Sequence, residues 1–301
     1  MRAAEKGFLL LTSCLGDPER KPLTTAQFRT LTSRMQAASL TYEDRDLNTE
    51  DLTGLGYDRS FALRVLHLLS QEDLLEHYLQ KGQKQGCVCI TRISDHYPLR
   101  LRQSLGLDSP GCIWAKGDLS CLDYAMISLV GSRQIRQENA RFAREVGRQA
   151  AHQGYILVSG NARGADQEAQ EACLAAGGQV VSIVADELCQ KTPKEGILYL
   201  SEDSFDLPFS SARALSRNRL IHAMGCRTFV AQSSCGLGGT WDGTVKNLRF
   251  GWSPVFCYSD GSEASERLIR MGANGIVADE LQDIPALMPK EMNFLTDNPL
   301  F

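Results

Sequence analysis

The sequence is short of the features that define several classes of protein. Its 301 residues contain no run of about 18 apolar residues, and the first residues follow no signal-peptide pattern. The ten cysteines form no CxxC pair and no cysteine–histidine set at zinc spacing, so we expect reduced thiols. These absences predict a cytoplasmic protein that has no contact with a membrane and holds no metal or other cofactor.

An excess of positive charge is also missing, because the net charge is −4 at pH 7. This excludes a cationic coat over the whole surface, of the kind that binds nucleic acid or anionic lipid without selectivity. Basic residues are nevertheless concentrated locally, since residues 132–148 contain five arginines against two glutamates. A binding site for an anion would therefore occupy a small part of the surface.

Three signatures of catalysis are absent as well. Gly131 stands alone after the first strand of the predicted sheet, where a dinucleotide-binding fold has GxGxxG, and no GxxxxGK[ST] loop occurs. A Gly-x-Ser-x-Gly elbow is missing, and His222 has no companion nucleophile. We expect His222 to be a helix-surface or packing residue. The sequence predicts no catalytic residue and a protein that is not an enzyme.

The length suggests about two domains. Residues 1–85 are predicted to form a small helical domain, and residues 86–301 a second domain. Residues 81–86 are polar and predict the linker between them, while the proline and glycine content of residues 98–118 predicts an extended segment. Apolar residues at helical spacing predict the N-terminal helices, at 23–35, 61–69 and 72–79.

From residue 125 onward, buried-type strands alternate with amphipathic helices. The predicted strands are 125–130, 155–159, 180–185, 197–200, 228–231, 255–258 and 275–278. The predicted helices are 138–153, 166–176, 211–224, 240–249 and 263–271. Strands separated by helices pair in parallel, so we expect an α/β fold with a doubly wound, mostly parallel, Rossmann-like sheet. Such sheets bind ligands beyond the carboxyl ends of their strands.

A glycine turn in the N-terminal region, Leu52–Gly56, admits two interpretations. It is reminiscent of a helix-hairpin-helix turn, in which backbone amides beside the glycines hold a phosphate; the predicted domain would then be helix-hairpin-helix or SAM-like. The match is weak, because the small residue expected soon after the second glycine comes late, at Ala62. A plain turn that joins two packing helices is the favoured interpretation.

Glycines, hydroxyls and arginines gather where the predicted strands end. Glycine lets backbone amides approach a phosphate, a following helix adds its positive end, and arginine supplies a delocalised charge. The candidate anion-binding residues are Gly131, Ser132, Arg133, Ser159, Gly160, Arg163, Gly164, Arg217, Asn218, Arg219, Gly239 and Thr240. Asp166 follows the second of these blocks, where a carboxylate would cap the next helix and hold the loop.

These blocks resemble the signature of the DNA-processing protein A (DprA/Smf) family. The resemblance rests on Gly131–Arg133, Ser159–Asp166 and Arg217–Arg219, together with the lead-in segments Asp95–Pro98 and Trp114–Gly117. It implies single-stranded DNA binding in the arginine and glycine pocket. It further implies assistance in loading a RecA-type recombinase during DNA uptake, transformation or recombination, and a homodimer.

Several positions depart from the family pattern. Asn161 replaces an aliphatic residue, Gly236–Gly243 is richer in glycine than expected and includes Trp241, and His222 replaces an apolar residue. The sequence ends at Phe301, so we expect no C-terminal winged helix after the α/β domain. The protein is therefore interpreted as a divergent member of the family.

Two functions stay open at this point. A non-catalytic single-strand binder would use the arginines for phosphates, and bases would stack on an aromatic residue such as Trp241 or Phe250. The alternative is a nucleotide-binding sensor or a nucleotide phosphoribohydrolase-like enzyme, because Gly236–Asp242 is similar to a glycine block of such N-glycosidases. Asp242 would then be the acid/base, although a first-turn helix residue is the simpler interpretation.

Overall fold

The computed structural model describes residues 1–17, 19–40, 46–202 and 204–289. Five helices precede the sheet, as expected for residues 1–85. They are α1 (Ala3–Thr12), α2 (Thr25–Ala37), α3 (Thr49–Gly54), α4 (Arg59–Leu69) and α5 (Glu72–Lys84). Side chains cap three of them, because Thr24, Asn48 and Asp58 each accept a hydrogen bond from an amide of the first helical turn.

The linker predicted at residues 81–86 is wrong for most of its length, because α5 continues to Lys84. Gly82 is buried in this last turn, and a Cβ there would collide with the ring of Trp114 on the sheet. The polar residues of the segment are thus the exposed face of a helix whose glycine packs closely against Trp114 of the sheet.

Nine strands form one sheet. They are β1 (Val88–Thr91), β2 (Cys112–Lys116), β3 (Met126–Val130), β4 (Ile156–Ser159), β5 (Val180–Val184), β6 (Ile197–Glu202), β7 (Thr228–Val230), β8 (Val255–Tyr258) and β9 (Asn274–Ile276). Their order across the sheet is β1-β2-β6-β5-β4-β3-β7-β8-β9. All neighbours from β6 to β9 pair in parallel, which confirms the mostly parallel, doubly wound fold.

The extended segment predicted at residues 98–118 is only partly correct. Residues 99–105 form a helix, α6 (Leu99–Leu105), and β2 then pairs antiparallel with both β1 and β6. The proline and glycine signals mark the turns around these elements. The partners that make 112–116 a strand lie as far away as Glu202, so no local pattern reveals the pairing.

Five further helices cover the sheet: α7 (Gln137–His152), α8 (Ala165–Ala175), α9 (Ser211–Met224), α10 (Gly238–Phe250) and α11 (Glu263–Arg270). Residues of α7 and α8 pack on one face of the sheet, and residues of α6, α9 and α10 pack on the other. Helices α7 and α8 approach closely at Gly147, where a Cβ would collide with the carbonyl of Ala169.

The N-terminal helices are not packed as a separate body. Leu9 and Leu10 of α1 and Leu75 and Tyr78 of α5 belong to the same buried cluster as Trp114 of the sheet. A smaller cluster lies among α2, α3 and α4. The division into domains at residue 85 stays a prediction, since helices do precede the sheet but share its core.

The ten cysteines are all unpaired thiols, as their scattered spacing predicts. Within the described ranges, no cluster of three or more histidine, cysteine, aspartate or glutamate side chains has the arrangement of a metal site. None of the helices in those ranges combines the length and apolar character needed to cross a bilayer.

Candidate nucleic-acid interface

A cavity of about 480 Å³ lies at the carboxyl ends of the central strands. The chain runs from β3 through β4 and β5 toward one edge of the sheet and returns to β7 on the other side of β3. This reversal between β3 and β7 is the position at which doubly wound sheets bind ligands. Residues that follow β3 and β7 line the cavity, together with the facing parts of α9 and α10.

The first turn of α10 forms one wall of the cavity. Gly238, Gly239 and Thr240 line it, and the residue before the helix, Leu237, makes no capping hydrogen bond with its side chain. The first amides of a helix have no acceptor within the helix, and they carry the positive end of its dipole. The Thr240 hydroxyl donates to the Gly131 carbonyl at 3.0 Å, so this turn is anchored to the end of β3.

Arg133 is the exposed cation of the cavity. It lines the cavity and, within the part of the chain that the structure describes, has no carboxylate within ion-pair distance. The adjacent Ser132 closes the turn that presents it, because the Ser132 hydroxyl donates to the Gln134 carbonyl at 2.9 Å. The Gln134 amide donates back to that hydroxyl at 3.2 Å. Arg133 is therefore positioned by the turn and free to meet an anion.

Arg217, in contrast, is a structural cation at the base of the cavity. It is only 7% exposed, and its Nη1 donates to the carbonyls of Gly160 and of Ile183, the latter at 2.8 Å. These bonds tie together the carboxyl ends of β4 and β5. A Cβ at residue 160 would collide with the Arg217 guanidinium, so glycine is required there. Burial lowers the pKa of Arg217, yet a guanidinium keeps its charge in proteins.

Asp166 supports the loop after β4 but does not cap a helix. It is the second residue of α8, whose N-cap is Gly164. The Asp166 carboxylate accepts hydrogen bonds from the amides of Gly160 at 3.1 Å and of Ala162 at 3.2 Å. Burial raises the pKa of Asp166, and Arg217 and the two amides oppose that shift. The predicted loop support is thus present, and the predicted helix cap is wrong.

The departure at Asn161 has a physical reason in this loop. Asn161 has a φ of 58°, in the left-handed region. Asparagine tolerates this conformation better than an aliphatic residue does, and Asn161 is exposed. Gly164 closes the loop with a φ of 81°, where a Cβ would collide with the Ser132 carbonyl.

The structure brings some of the predicted anion-binding residues together and separates others. Those that line the cavity are Gly131, Ser132, Arg133, Arg217, Asn218, Gly239 and Thr240. Ser159 is buried and accepts a hydrogen bond from Gln170 Nε2 at 2.5 Å. Arg163 is exposed outside the cavity wall. Arg219 forms an ion pair with Glu202 and donates to the Asp108 carbonyl, which places it outside the cavity wall as well.

The sequence analysis did not identify the apolar side chains around the cavity. Phe209, Leu215 and Leu237 line the cavity and are all exposed, Leu237 at 72%. The two aromatic residues singled out from the sequence lie elsewhere. Trp241 is half-buried against the core with Arg267 over its ring, and Phe250 stacks on Trp252. The one signal for Phe209 is an aromatic residue beside Pro208, outside any periodic pattern.

His222 also lines the cavity and is fully buried. Of the two roles expected for it, His222 is therefore a packing residue and not a helix-surface residue. Burial lowers the pKa of His222 to about 3, so the ring is neutral at physiological pH. Its Nδ1 lies 3.1 Å from Asn247 Nδ2.

Asp242, the acid/base of the alternative enzymatic function, lies outside the wall of the cavity. Its carboxylate forms an ion pair with Lys246 at 2.8 Å, one turn further along α10. This is the arrangement of a helix-surface pair at i,i+4 spacing. Asp242 is the fifth residue of α10, so the expectation of a first-turn residue is wrong, and Asp242 lies one turn further along as part of this surface pair.

A family model described as DNA recombination-mediator protein A matches residues 88–287. Protein Smf of Escherichia coli (strain K12) is 26% identical over 222 residues, 68% of this chain and 58% of that protein. The DNA processing protein DprA of Streptococcus pneumoniae is 30% identical over 151 residues, 50% of this chain and 51% of that protein. The chain thus spans little more than half the length of these relatives.

Two solved structures are similar in fold. DNA processing protein A from Streptococcus pneumoniae has a TM-score of 0.72 and 22% identity, and the alignment covers 96% of this chain and all of that one. The protein from Helicobacter pylori, whose structure concerns its single-stranded DNA binding mode, has a TM-score of 0.56 and 21% identity. That alignment covers 65% of this chain and 94% of the other. At these identities the likeness establishes the Rossmann-like α/β fold.

Proposed function

This chain belongs to the DNA recombination-mediator protein A family, the DprA/Smf proteins, and from that premise we propose that it binds single-stranded DNA without catalysing a reaction on it. The observation that carries the proposal is the cavity at the strand ends, where an uncapped helix N-terminus faces an exposed arginine. Both groups attract anions, and they line the same space.

Two phosphates of a strand would meet these groups in turn. One would accept hydrogen bonds from the first amides of α10 at Gly238 and Gly239, and the next would pair with Arg133. Arg217 would contribute its charge from below while it holds the strand ends together. Asp166 is the acidic side chain in the cavity wall, and its Oδ2 is bound to two amides beside those arginines.

The bases of the strand would lie on the apolar rim. Phe209 offers an exposed ring, and Leu215 and Leu237 extend the apolar surface around the cavity. Stacking on an aromatic ring contributes about 1–3 kcal/mol per base and tolerates any sequence. Paired bases hide these faces inside the duplex, so such a rim favours single strands over double strands.

Salt-dependent binding of a fluorescent single-stranded oligonucleotide tests the proposal. Affinity should fall steeply with salt, and Arg133→Ala should weaken it about tenfold at low salt while reducing the logarithmic salt slope by about 0.7, one phosphate contact. Arg148→Ala is the matched control, because Arg148 lies on α7 and forms an ion pair with Glu145. Salt-independent binding, or equal losses in the two variants, would refute the cavity as the DNA site.

The family membership also supports finer proposals about the biological role. We propose that the protein acts in DNA uptake, transformation or recombination by assisting the loading of a RecA-type recombinase, and that it forms a homodimer. Recombinase assembly on single strands coated with single-strand-binding protein should accelerate when this protein is added. Sedimentation should give a dimer mass, and a monomer at all concentrations would contradict that part.

A further inference from the structure

Three residues that line the cavity have buried polar atoms without a hydrogen-bond partner in the part of the chain that the structure describes. Arg217 Nε, His222 Nε2 and Ser233 Oγ are buried, line the cavity through their residues, and find no hydrogen-bond partner among the described residues. Buried polar atoms are paired in most proteins, and each exception calls for an explanation. Three such atoms around one cavity indicate that a polar group from outside the chain, either water or a ligand, supplies the missing partners.

The proton of His222 can be placed from its neighbours. The Ser253 amide donates to Asn247 Oδ1 at 2.9 Å, which fixes the orientation of that side-chain amide. Asn247 Nδ2 therefore donates to Ser253 Oγ and to His222 Nδ1, each at 3.1 Å. Because Nδ1 accepts and the ring is neutral, the proton lies on Nε2. Nε2–H is thus a donor without an acceptor.

The unsatisfied group on Arg217 is a donor for the same reason, since every guanidinium nitrogen carries hydrogen. Ser233 can donate its hydroxyl proton as well. Gly243 of α10 faces the histidine, and a Cβ there would lie only 3.1 Å from His222 Nε2 and so crowd that atom. The floor of the cavity therefore offers hydrogen-bond donors and a positive charge, next to the N-terminus of α10.

This combination selects the chemistry of the ligand. A nucleobase edge mixes donors with acceptors, whereas phosphate oxygens only accept, so a donor floor fits phosphate best. His222 is fully buried and Arg217 is 7% exposed, so a group that meets them must protrude into the cavity floor while the surrounding side chains move aside. A phosphodiester inside a strand carries a nucleoside on both sides, but a terminal phosphate carries one. A cavity of about 480 Å³ is within the usual range for small-molecule sites.

We propose that the floor formed by Arg217, His222 and Ser233 binds a terminal phosphate, either at the end of a DNA strand or on a free nucleoside monophosphate. This inference rests on the proposed function, because it gives a role to the deepest part of the cavity proposed to bind the DNA strand. It adds a preference for strand ends to the proposed binding of single-stranded DNA.

Binding of three oligonucleotides of one sequence tests the inference. One strand carries a 5′-phosphate, one a 3′-phosphate, and one hydroxyls at both ends. We expect one phosphorylated strand to bind about tenfold more tightly than the hydroxyl strand, the effect of one charge-assisted hydrogen bond. A calorimetric titration with deoxythymidine monophosphate, with thymidine as its control, shows whether a free nucleotide also enters the site.

Two variants locate the effect on the cavity floor. Gly243→Ala fills the space before Nε2, and His222→Phe removes the donor while a ring is kept; both should bring the affinity ratio of phosphorylated to hydroxyl strand close to one. Gly7→Ala is the matched control for the first variant, because Gly7 is also a helical glycine but has open space around it. If His222→Phe does not fold, Gly243→Ala and its control still decide the question.

The outcomes separate this inference from the proposed function. A wild-type protein that binds all three strands equally overturns the terminal-phosphate site and leaves single-strand binding intact. A phosphate preference that survives in Gly243→Ala overturns the assignment to the floor. If no strand binds at all while the nucleoside monophosphate does, the proposed function fails and the phosphate site stands. Absence of binding to any of these ligands refutes both.

Discussion

Two of the glycine turns that precede helices, one before α4 and one before α10, differ in whether their amides are already bound. The first lies between α3 and α4. The amides of Leu55, Gly56 and Tyr57 all donate to backbone carbonyls of α3, and Arg34 donates to the carbonyls of Leu55 and Gly56 at 3.0 and 3.3 Å. The Asp58 side chain caps the helix that follows. The three amides beside the glycine at this turn are therefore already bound.

The second turn, before α10, is the opposite. Leu237 offers no capping side chain, and Gly238 and Gly239 face a cavity. The same residue types thus produce a closed packing turn in one place and an open site in the other. The difference lies in whether the amides are already bound, since an amide that has an acceptor cannot serve a ligand without losing that bond. The plain-turn interpretation of Leu52–Gly56 therefore agrees with the structure.

The largest expected effect concerns Arg217, which lies at the base of the cavity below the turn before α10. Arg217→Met should lower the free energy of unfolding by about 3 kcal/mol, because it leaves two buried carbonyls without donors and Asp166 without its neighbouring cation. Urea unfolding measures this loss. Arg163→Met, in the adjacent loop but exposed, should keep wild-type stability. Equal stability of the two variants would show that Arg217 is not structural.

A single methyl group in the first turn of α10 should change the affinity for DNA. Gly239→Ala places a Cβ about 2.9 Å from Asn218 Nδ2 and displaces it from the Gly239 carbonyl, to which it now donates at 3.0 Å. We expect a roughly fivefold loss of affinity for single-stranded DNA, about 1 kcal/mol, because the wall of the cavity shifts. Fluorescence anisotropy measures it, and unchanged affinity would place the DNA elsewhere.

Helix α5 connects the N-terminal helices to the segment beside the cavity. We expect its contacts to contribute less to the free energy of unfolding than Arg217 does. Lys81 pairs with Asp206 at 2.6 Å, and Tyr78 Oη lies 2.7 Å from Ser204 Oγ, so the segment that leads to Phe209 is held by the N-terminal helices. Lys81→Met should lower the free energy of unfolding by about 0.5 kcal/mol at pH 7, as expected for a partly exposed pair. Urea unfolding of both proteins checks this value.

The stability difference between the wild type and Lys81→Met should depend on pH. Burial opposes ionisation of Asp206, but the hydrogen bonds from Lys81 and Ser204 outweigh it and lower the pKa of Asp206 below its ordinary value. The stabilisation is therefore fully present above pH 4 and is lost as the pH falls through the folded-state pKa. The wild type and Lys81→Met should converge in stability under acid conditions. A constant difference would mean that Lys81 acts instead through the cation–π contact of its ammonium group with the Phe205 ring.

The smallest effect on DNA affinity is expected at the turn between α3 and α4. Gly54→Ala adds a methyl group where nothing lies within 4 Å, and its backbone is helical, so the free energy of unfolding should rise by no more than about 1 kcal/mol. Affinity for single-stranded DNA should stay at the wild-type value in the anisotropy assay used for Gly239→Ala. A loss of affinity in Gly54→Ala would reopen the helix-hairpin-helix interpretation.

Much of the architecture was accessible from local pattern. Buried strands such as Met126–Val130 are almost wholly apolar, which is typical of a parallel sheet covered on both faces. The helix predicted at 211–224 agrees with α9 at both ends, because Ser210 caps its start and Gly225 follows its end. In contrast, β2 pairs with distant strands, and its role could not be read from residues 98–118.

The candidate site was predictable in outline but not in its contacts. Gly131–Arg133 line the cavity because strand ends of a parallel sheet meet at one edge, and Gly239 lines it from the first turn of α10. Arg219 belongs to the same sequence block as Arg217, yet it pairs with Glu202 outside the cavity wall. Phe209 was missed because its exposure depends on the fold around it.

The sequence by itself therefore determined the type of sheet, the edge that carries the site and the residue types that gather there, since periodicity and strand-end glycines are local properties. Only the tertiary structure decided which cation is free, which glycine turn is open and where the proton of His222 lies. Each of these depends on partners such as Glu202, Arg34 and Asn247, which come from other elements of the fold. A hydrogen bond or ion pair either occupies a group or leaves it available, and that choice is made only when the elements pack.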